Sequence, residues 1–379
     1  MTPGAPRRSL LLFHLESVAW QTMHAFPDAF PHLTALMAES RTYRMHVTAA
    51  TSTQMVLAAL LHGNDFEMDA APGLSAPAGN NPSLLNTLGA AGYRTEFLCA
   101  TSYPERPMLP RFAASLPTVR STNDFAAMLA NFEEAVSTGP FAVYAWSQVP
   151  HVLANLALAA HARSLDELAA GGCAVADNLL GAMLDILRRR GVAGETTVVV
   201  FGDHGDDYWT HGFKTGLTHG VEPCMPLVHT PLVIRDPALR TGVDDGIVGT
   251  TDLAATCLDL LGLPTTAAFP ISGRSLLDGA PRAAAFSQNF TANQPDRPTQ
   301  DVRKCFAAID HSHILTVSSR GLQLFNHRLD PGNHANILHH FDLGDDLRLR
   351  PVDLGVMGHE HFRTAHHLWR RAGLLQDVF

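Results

Sequence analysis

The sequence predicts an α/β fold: a mostly parallel sheet covered by crossover helices, with a small α+β subdomain at the C-terminal end. Three observations carry this. Strand-like and helix-like segments alternate over the first 280 residues, as in successive βαβ units. Two runs, 10–15 and 196–201, are almost continuously apolar or β-branched, as strands buried on both faces must be. Glycine and proline cluster at 278–282, and beyond them short alternating segments take over, which suits antiparallel strands.

Taken in order, Arg7-Arg8 precede the run 10–15. The run is too short for a secretory leader, His14 and Glu16 interrupt it, and no small-residue cleavage site follows, so it is expected to be a buried first strand. Residues 31–40 read as a helix with Leu33, Leu36 and Met37 on one face, 55–61 as a helix start, and 83–91 as a helix leading into a strand at 93–99. A strand is expected at 141–146 and a long helix at 164–190, carrying Asp177 and Asn178 and stopped by Gly191. The clearest buried strand, 196–201, is followed by a short strand at 232–234 and a helix at 252–261. Strands at 304–310, 313–318 and 322–326, an Asp330-Pro331-Gly332-Asn333 turn and a helix from about residue 359 complete the chain. The expected division is 1–280 for a catalytic domain and 281–379 for the small subdomain.

Composition narrows the function. With 379 residues, 46% hydrophobic and 17% charged, the chain can bury a large core. A net charge of -9 argues against a nucleic-acid surface. No stretch reaches the roughly 18 consecutive apolar residues of a membrane helix. The expectation is a soluble, cytoplasmic protein. Five widely spaced cysteines without a Cys-x-x-Cys pair disfavour a disulfide framework or a cysteine zinc site. The 21 histidines direct attention to metal ligands.

Chemistry concentrates at element ends. The strand 196–201 runs into Gly202-Asp203-His204-Gly205, a carboxylate beside an imidazole at the edge where open α/β sheets bind ligands. Asp and neutral His suit zinc or a similar divalent ion. The first strand also ends in a carboxylate, Glu16. In Thr51-Ser52-Thr53, hydroxyls meet a helix N-terminus, whose dipole and N–H groups favour an alkoxide or a phosphate. Each feature alone also fits a polar turn or an ordinary cap. His46 and His62 read as structural, and Lys214 as a solvated loop residue.

In sequence order these segments resemble the sulfatase and phosphotransferase branch of the alkaline phosphatase superfamily. The resemblance rests on the strand ending in Glu16, on Pro31-His32-Leu33, on Thr53 through Leu60-Leu61-His62-Gly63, and on Asp177 and Gly181 ahead of Asp203-His204-Gly205. It continues through Asp252-Leu253-Ala254-Ala255-Thr256, Gly273-Arg274-Ser275, and Leu324-Phe325-Asn326 with Asp330-Pro331. It implies an alkaline-phosphatase-like three-layer sandwich. It also implies one or two divalent ions, zinc or manganese, with Glu16, Thr53, Asp203 and His204 around one of them. His219, in Thr218-His219-Gly220, matches the family's His-Gly downstream of Asp-His-Gly, with His211 competing for that role, and His151, in Val149-Pro150-His151, matches the histidine of its Pro-His or Ser-His loop.

The chain departs from the formylglycine sulfatases. Their Cys-x-Pro-x-Arg is replaced by Thr53, Met55 and Leu57. The Thr-x-Thr run and the single Glu16 are closer to phosphoethanolamine transferases and lipoteichoic acid synthases. The resemblance therefore implies phosphoryl chemistry on a soluble phosphoester or phosphonoester through Thr53, with hydrolysis ahead of transfer. A sulfuric ester hydrolase on the same site and an inactive metal- or ligand-binding member of the fold are the alternatives. Loops at 64–81, 101–109 and 289–301 are expected to set specificity.

Overall fold

A computed structural model describes residues 7–63, 83–100, 118–151, 164–208, 211, 217–220, 222–264, 273–279, 282–290, 304–318, 321–343 and 349–351. The expected helix beyond residue 359, Lys214, and the loops at 64–81, 101–109 and 291–301 lie outside them.

The strands, in chain order, are β1 (Ser9–Leu15), β2 (Arg41–Val47), β3 (Arg94–Ala100), β4 (Val119–Thr122), β5 (Phe141–Ser147), β6 (Thr196–Gly202), β7 (Asp207–Tyr208), β8 (Leu217–Thr218), β9 (His229–Arg235) and β10 (Gly242–Gly249). All but the short β7–β8 pair form one eight-stranded sheet in the order β10-β2-β9-β6-β1-β5-β3-β4. Only β9 runs against its neighbours. All seven residues of each of β1, β5 and β6 are buried, as their apolar runs require.

Helices cover both faces: α1 (Trp20–Ala25), α2 (Pro31–Ala38), α3 (Thr53–His62), α4 (Leu84–Ala90), α5 (Phe125–Ala135), α6 (Leu165–Arg189), α7 (Met225–Val228) and α8 (Asp252–Leu260). Side-chain alternation splits β1 between two cores. Leu10 and Leu12 pack with Leu57, Leu61, Leu84, Leu88 and Leu258 of α3, α4 and α8. Leu11 and Phe13 pack with Leu33, Leu36, Phe132, Leu180 and Leu187 of α2, α5 and α6. Each fully buried Leu contributes about 1.5–3 kcal/mol. The result is the expected three-layer sandwich.

Two details tie α2 to α6. Asp177 of α6 accepts from the His32 and Leu33 N–H groups, both at 2.8 Å. It thereby supplies the N-terminal cap that Phe30 cannot. Gly181 lets the helices meet: a Cβ there would lie 2.5 Å from the His32 ring. By length and composition, α6 is apolar enough to cross a membrane. Its Cys173, Ala176, Leu180, Met183 and Leu187 are buried in the core instead.

Four further strands, β11 (Ala285–Phe290), β12 (Lys304–Ile309), β13 (His313–Ser318) and β14 (Gly321–Asn326), form an antiparallel sheet in that order. This is the small C-terminal sheet that the alternating pattern predicts. Its Ala285, Ala307, Ile309, Ile314 and Phe325 share a core with Val47, Ile247, Leu227 and Val228. A backbone bridge joins Ala50 to Gln288. Asp252 at the start of α8 accepts from the Gly249 and Arg274 N–H groups, each at 2.9 Å, and from both arms of the Arg282 guanidinium.

Candidate active site

The parallel register aligns the strand ends. Leu15 pairs with Ser147 on one side and with Gly202 on the other. The residues that follow β1 and β6, Glu16 and Asp203, therefore emerge side by side at the carboxyl edge. The N-terminus of α3 adds Thr53 to them.

Thr53 Oγ1 donates to Glu16 Oε1 at 2.9 Å and lies 3.0 Å from His204 Nε2. Ser52 precedes α3 without a side-chain cap hydrogen bond, so the positive end of the helix faces this cluster uncapped. Glu16 Oε2 accepts from the Trp146 indole N–H at 2.6 Å. Asp203 Oδ1 accepts from the backbone N–H groups of Ser17 (2.9 Å) and His204 (2.8 Å). Ser17 takes a left-handed conformation, φ 56°, and orients its N–H onto this carboxylate. Such a backbone costs about 1–3 kcal/mol for a residue with a Cβ. Gly205 is required next: a Cβ there would lie 2.0 Å from the Pro226 carbonyl oxygen.

His204 Nδ1 lies 2.9 Å from the Gly205 carbonyl oxygen. That contact puts a hydrogen on Nδ1 and leaves Nε2 as the ring nitrogen that faces Thr53. His14 completes the group from within β1. Its Nε2 is 3.1 Å from Asp203 Oδ2 and 3.6 Å from Glu16 Oε2. His14, Glu16, Asp203 and His204 are all at most 1% exposed, and Thr53 is 4% exposed.

A second group adjoins the first. His219 Nδ1 bonds to Asp206 Oδ1 at 2.8 Å. The His219 ring stacks on His204 at 4.3 Å and meets the His151 ring edge-on at 4.8 Å. His151, Asp206 and His219 could together hold an ion, as could His14, Glu16 and Asp203.

The electrostatics follow from burial. Burial, then repulsion from Asp203, raises the Glu16 pKa. Burial also pushes Asp203 up, but His204, His14 and the Ser17 N–H outweigh it, and Asp203 is held below the usual carboxylate range. Asp206 likewise ends low despite burial, through His151 and His219. Burial and the neighbouring His204 bring His219 down to about 4.

The fold thus brings together Glu16, Thr53, Asp203 and His204, and places His151 and His219 beside them. His211 goes elsewhere. It is bound to Asp207 (2.7 Å) and to the Gly332 carbonyl (2.6 Å), with its ring stacked on His334. His46 is fully buried against Thr230 and Thr250, and His62 is buried in α3, both as structural residues. Sequence reading missed His14 and Asp206. The available signals were the i, i+2 spacing of His14 and Glu16 on one strand and the acidic pair that follows Asp203-His204-Gly205.

The cluster contains a test for a cation. Asp203 Oδ2, Asp206 Oδ2 and His14 Nε2 are buried without a hydrogen-bond partner among the described residues. Two carboxylates share a buried pocket with imidazole nitrogens. Contacts of 3.0–3.8 Å link donor atoms of Thr53, Glu16, Asp203, His204 and His14, and His14, Glu16 and Asp203 converge as one candidate ion group. A divalent ion fits.

This sheet gathers its acids, imidazoles and hydroxyl at one carboxyl edge. The sulfatase family model matches residues 8–263, and the chain belongs to the sulfatase family. Arylsulfatase K from Danio rerio is 33% identical over 108 residues, which are 28% of this chain and 19% of that protein. Arylsulfatase K from Bos taurus is 28% identical over 126 residues, 32% of this chain and 22% of that protein. The match spans about a fifth of these relatives' length. Among solved structures, a phosphonate monoester hydrolase from Silicibacter pomeroyi is 15% identical with a TM-score of 0.70, covering 96% of this chain and 95% of that one. A 2-O GAG sulfatase is 13% identical with a TM-score of 0.72, covering 98% and 92%. A lipoteichoic acid synthase from Listeria monocytogenes is 13% identical with a TM-score of 0.64, covering 99% and 93%.

Proposed function

We propose that the protein is a metal-dependent phosphoester hydrolase that works through a covalent intermediate on Thr53. The observation that carries this reading is the Thr53 hydroxyl, buried at an uncapped helix N-terminus and in contact with both Glu16 and His204. Residues of this type at this position supply an alkoxide nucleophile directly. Leu57, where formylglycine sulfatases resemble one another in carrying Arg, is buried and apolar.

Glu16, Thr53, Asp203 and His204 would hold one divalent ion, and His151, Asp206 and His219 a second. Carboxylate with imidazole suits zinc, and manganese where oxygen dominates. Such ions, when bound, lower the pKa of the Thr53 hydroxyl and neutralise charge developing on the phosphoryl oxygens. The chain's own groups do the rest. Thr53 already directs its hydrogen onto Glu16 Oε1, so an acceptor for that proton is in place where the alkoxide forms. Trp146 holds the other Glu16 oxygen in place. The N-terminus of α3 offers its positive end to the phosphoryl group. Asp206 orients the His219 ring through Nδ1, which leaves Nε2 as the nitrogen that would hold the second ion.

A sulfuric ester hydrolase is the second reading, favoured by the family model and the arylsulfatase K relatives. The discriminating assay sets wild type and Thr53→Ala against paired aryl phosphate monoesters, diesters and sulfates, with mass spectrometry of the trapped enzyme. The expected result is phosphoester turnover, lost by about 10³-fold or more in Thr53→Ala, with phosphate on Thr53. Faster sulfate turnover would reverse the substrate class. Undiminished turnover by Thr53→Ala would remove the nucleophile.

A further inference from the structure

His14 is buried in the middle of β1, where an otherwise apolar run passes through the sheet. Placing an imidazole there costs desolvation that a Leu or Phe would not incur. The ring is held on every side. It stacks between Trp146 (5.7 Å, 12° between planes) and Phe201 (5.3 Å, 20°), so it cannot turn. Its Nδ1 is 2.9 Å from the Tyr144 hydroxyl, which can accept from or donate to that nitrogen.

These contacts aim Nε2 at Asp203 Oδ2 and toward Glu16 Oε2. Asp203 Oδ2 lies between two imidazole nitrogens, 3.1 Å from His14 Nε2 and 3.3 Å from His204 Nε2. Neither Asp203 Oδ2 nor His14 Nε2 makes a hydrogen bond to a described residue. Converging donor atoms with one locked ring and an outer hydroxyl on its far nitrogen form the pattern of a metal-ligating histidine with its orienting partner.

We propose that His14 is a further ligand of the ion at Glu16, Thr53, Asp203 and His204, and that the two imidazoles make this site select zinc over calcium or magnesium. With His204 alone the donor set is mostly oxygen, which hard ions accept. A second nitrogen shifts the preference toward borderline metals, for which imidazole is a good donor. Tyr144 is the positioning residue: by accepting Nδ1–H it leaves the Nε2 lone pair for the ion. The proposal rests on the reading of this edge as a divalent-ion site. It is indifferent to whether the ester is a phosphate or a sulfate.

The test measures ion affinity without turnover. Metal-stripped wild type and His14→Phe are titrated with zinc, magnesium and calcium against a chromophoric chelator. Phe keeps the ring stack and offers no donor. Both proteins carry His151→Ala and His219→Ala, so that the adjoining group takes no ion. Zinc affinity is expected to fall at least 10- to 100-fold in His14→Phe, no less than removal of an outer partner costs, with calcium affinity unchanged. Unchanged zinc affinity, or an equal loss for all three ions, overturns the proposal. Should His14→Phe not fold, X-ray absorption on the zinc-loaded His151→Ala/His219→Ala protein counts the imidazoles directly. Two support the assignment, and one overturns it.

Discussion

The ion pair between Asp252 and Arg282 joins the end of the large sheet to the root of the small one, and its strength can be worked out from its surroundings. Asp252 is fully buried, and its two oxygens receive four donors: the Gly249 and Arg274 N–H groups and both arms of the Arg282 guanidinium. Asp252→Asn preserves shape but removes the charge and turns an NH₂ toward N–H donors. Breaking a buried pair on one side costs about 3–5 kcal/mol. The Arg282 side chain is 21% exposed, so Arg282→Met leaves a carboxylate that water and two backbone donors partly satisfy, and about 2–3 kcal/mol is expected. In the double variant neither charge remains uncompensated, and the combined loss should fall short of the sum by about 2–3 kcal/mol. Equilibrium urea unfolding, monitored by tryptophan fluorescence, gives all four free energies. Additivity within about 0.5 kcal/mol would refute the claim that the pair acts as a unit.

Three further outcomes are expected. Asn289 of β11 donates to the Gly220 carbonyl at 2.6 Å, and Gly220 N–H donates to Thr51 at 2.6 Å. Asn289→Ala should therefore disturb the Thr53–His219 arrangement and lower kcat about tenfold with little change in KM; a change confined to KM would contradict this. His46 and His229 are held neutral, burial lowering them to about 3 and about 4. The unfolded chain binds their protons first, so stability is full above about pH 6.5 and falls as pH drops toward 4, by up to about 1.4 kcal/mol per unit for each ring. His46→Gln should show a slope shallower by about that amount in urea titrations between pH 6.5 and 5, and an unchanged slope would speak against it. Both His211 nitrogens face acceptors, and although burial lowers its pKa the Asp207 carboxylate outweighs it, leaving the value raised. Its stabilisation is thus complete below about pH 6.5 and is lost as pH rises through the higher folded value. His211→Gln should cost about 1.5–3 kcal/mol at pH 6 and less at pH 9, so equal costs would exclude the protonated clasp.

Legibility in the sequence followed burial. β1, β5 and β6 were readable because strands covered on both faces must be apolar throughout. β2 was not: Arg41 to Val47 carries Arg, Thr and His, and its buried His46 is satisfied by Thr230 and Thr250, partners that no local pattern reveals. The fragment at 232–234 gave away only the apolar centre of β9, and its antiparallel sense depends on neighbours far along the chain. The site showed the same division. Glu16, Thr53, Asp203 and His204 stand at element ends, where a polar residue breaks a pattern. His14 is hidden inside a strand, and Asp206 resembles a solvated turn residue until the fold closes over it.

The sheet order also has a temporal side. β1 is synthesised well before its two partners, β5 and β6, the nearer of which begins some 125 residues later at Phe141. Until Gly202 has been synthesised, a seven-residue apolar strand waits with at least one unsatisfied edge, the kind of segment that associates with other chains. Closing such distant pairings is slow. Glu16 belongs to that waiting segment, and the nascent chain must be shielded over the interval if the central strand is to reach its place rather than pair with a copy of itself.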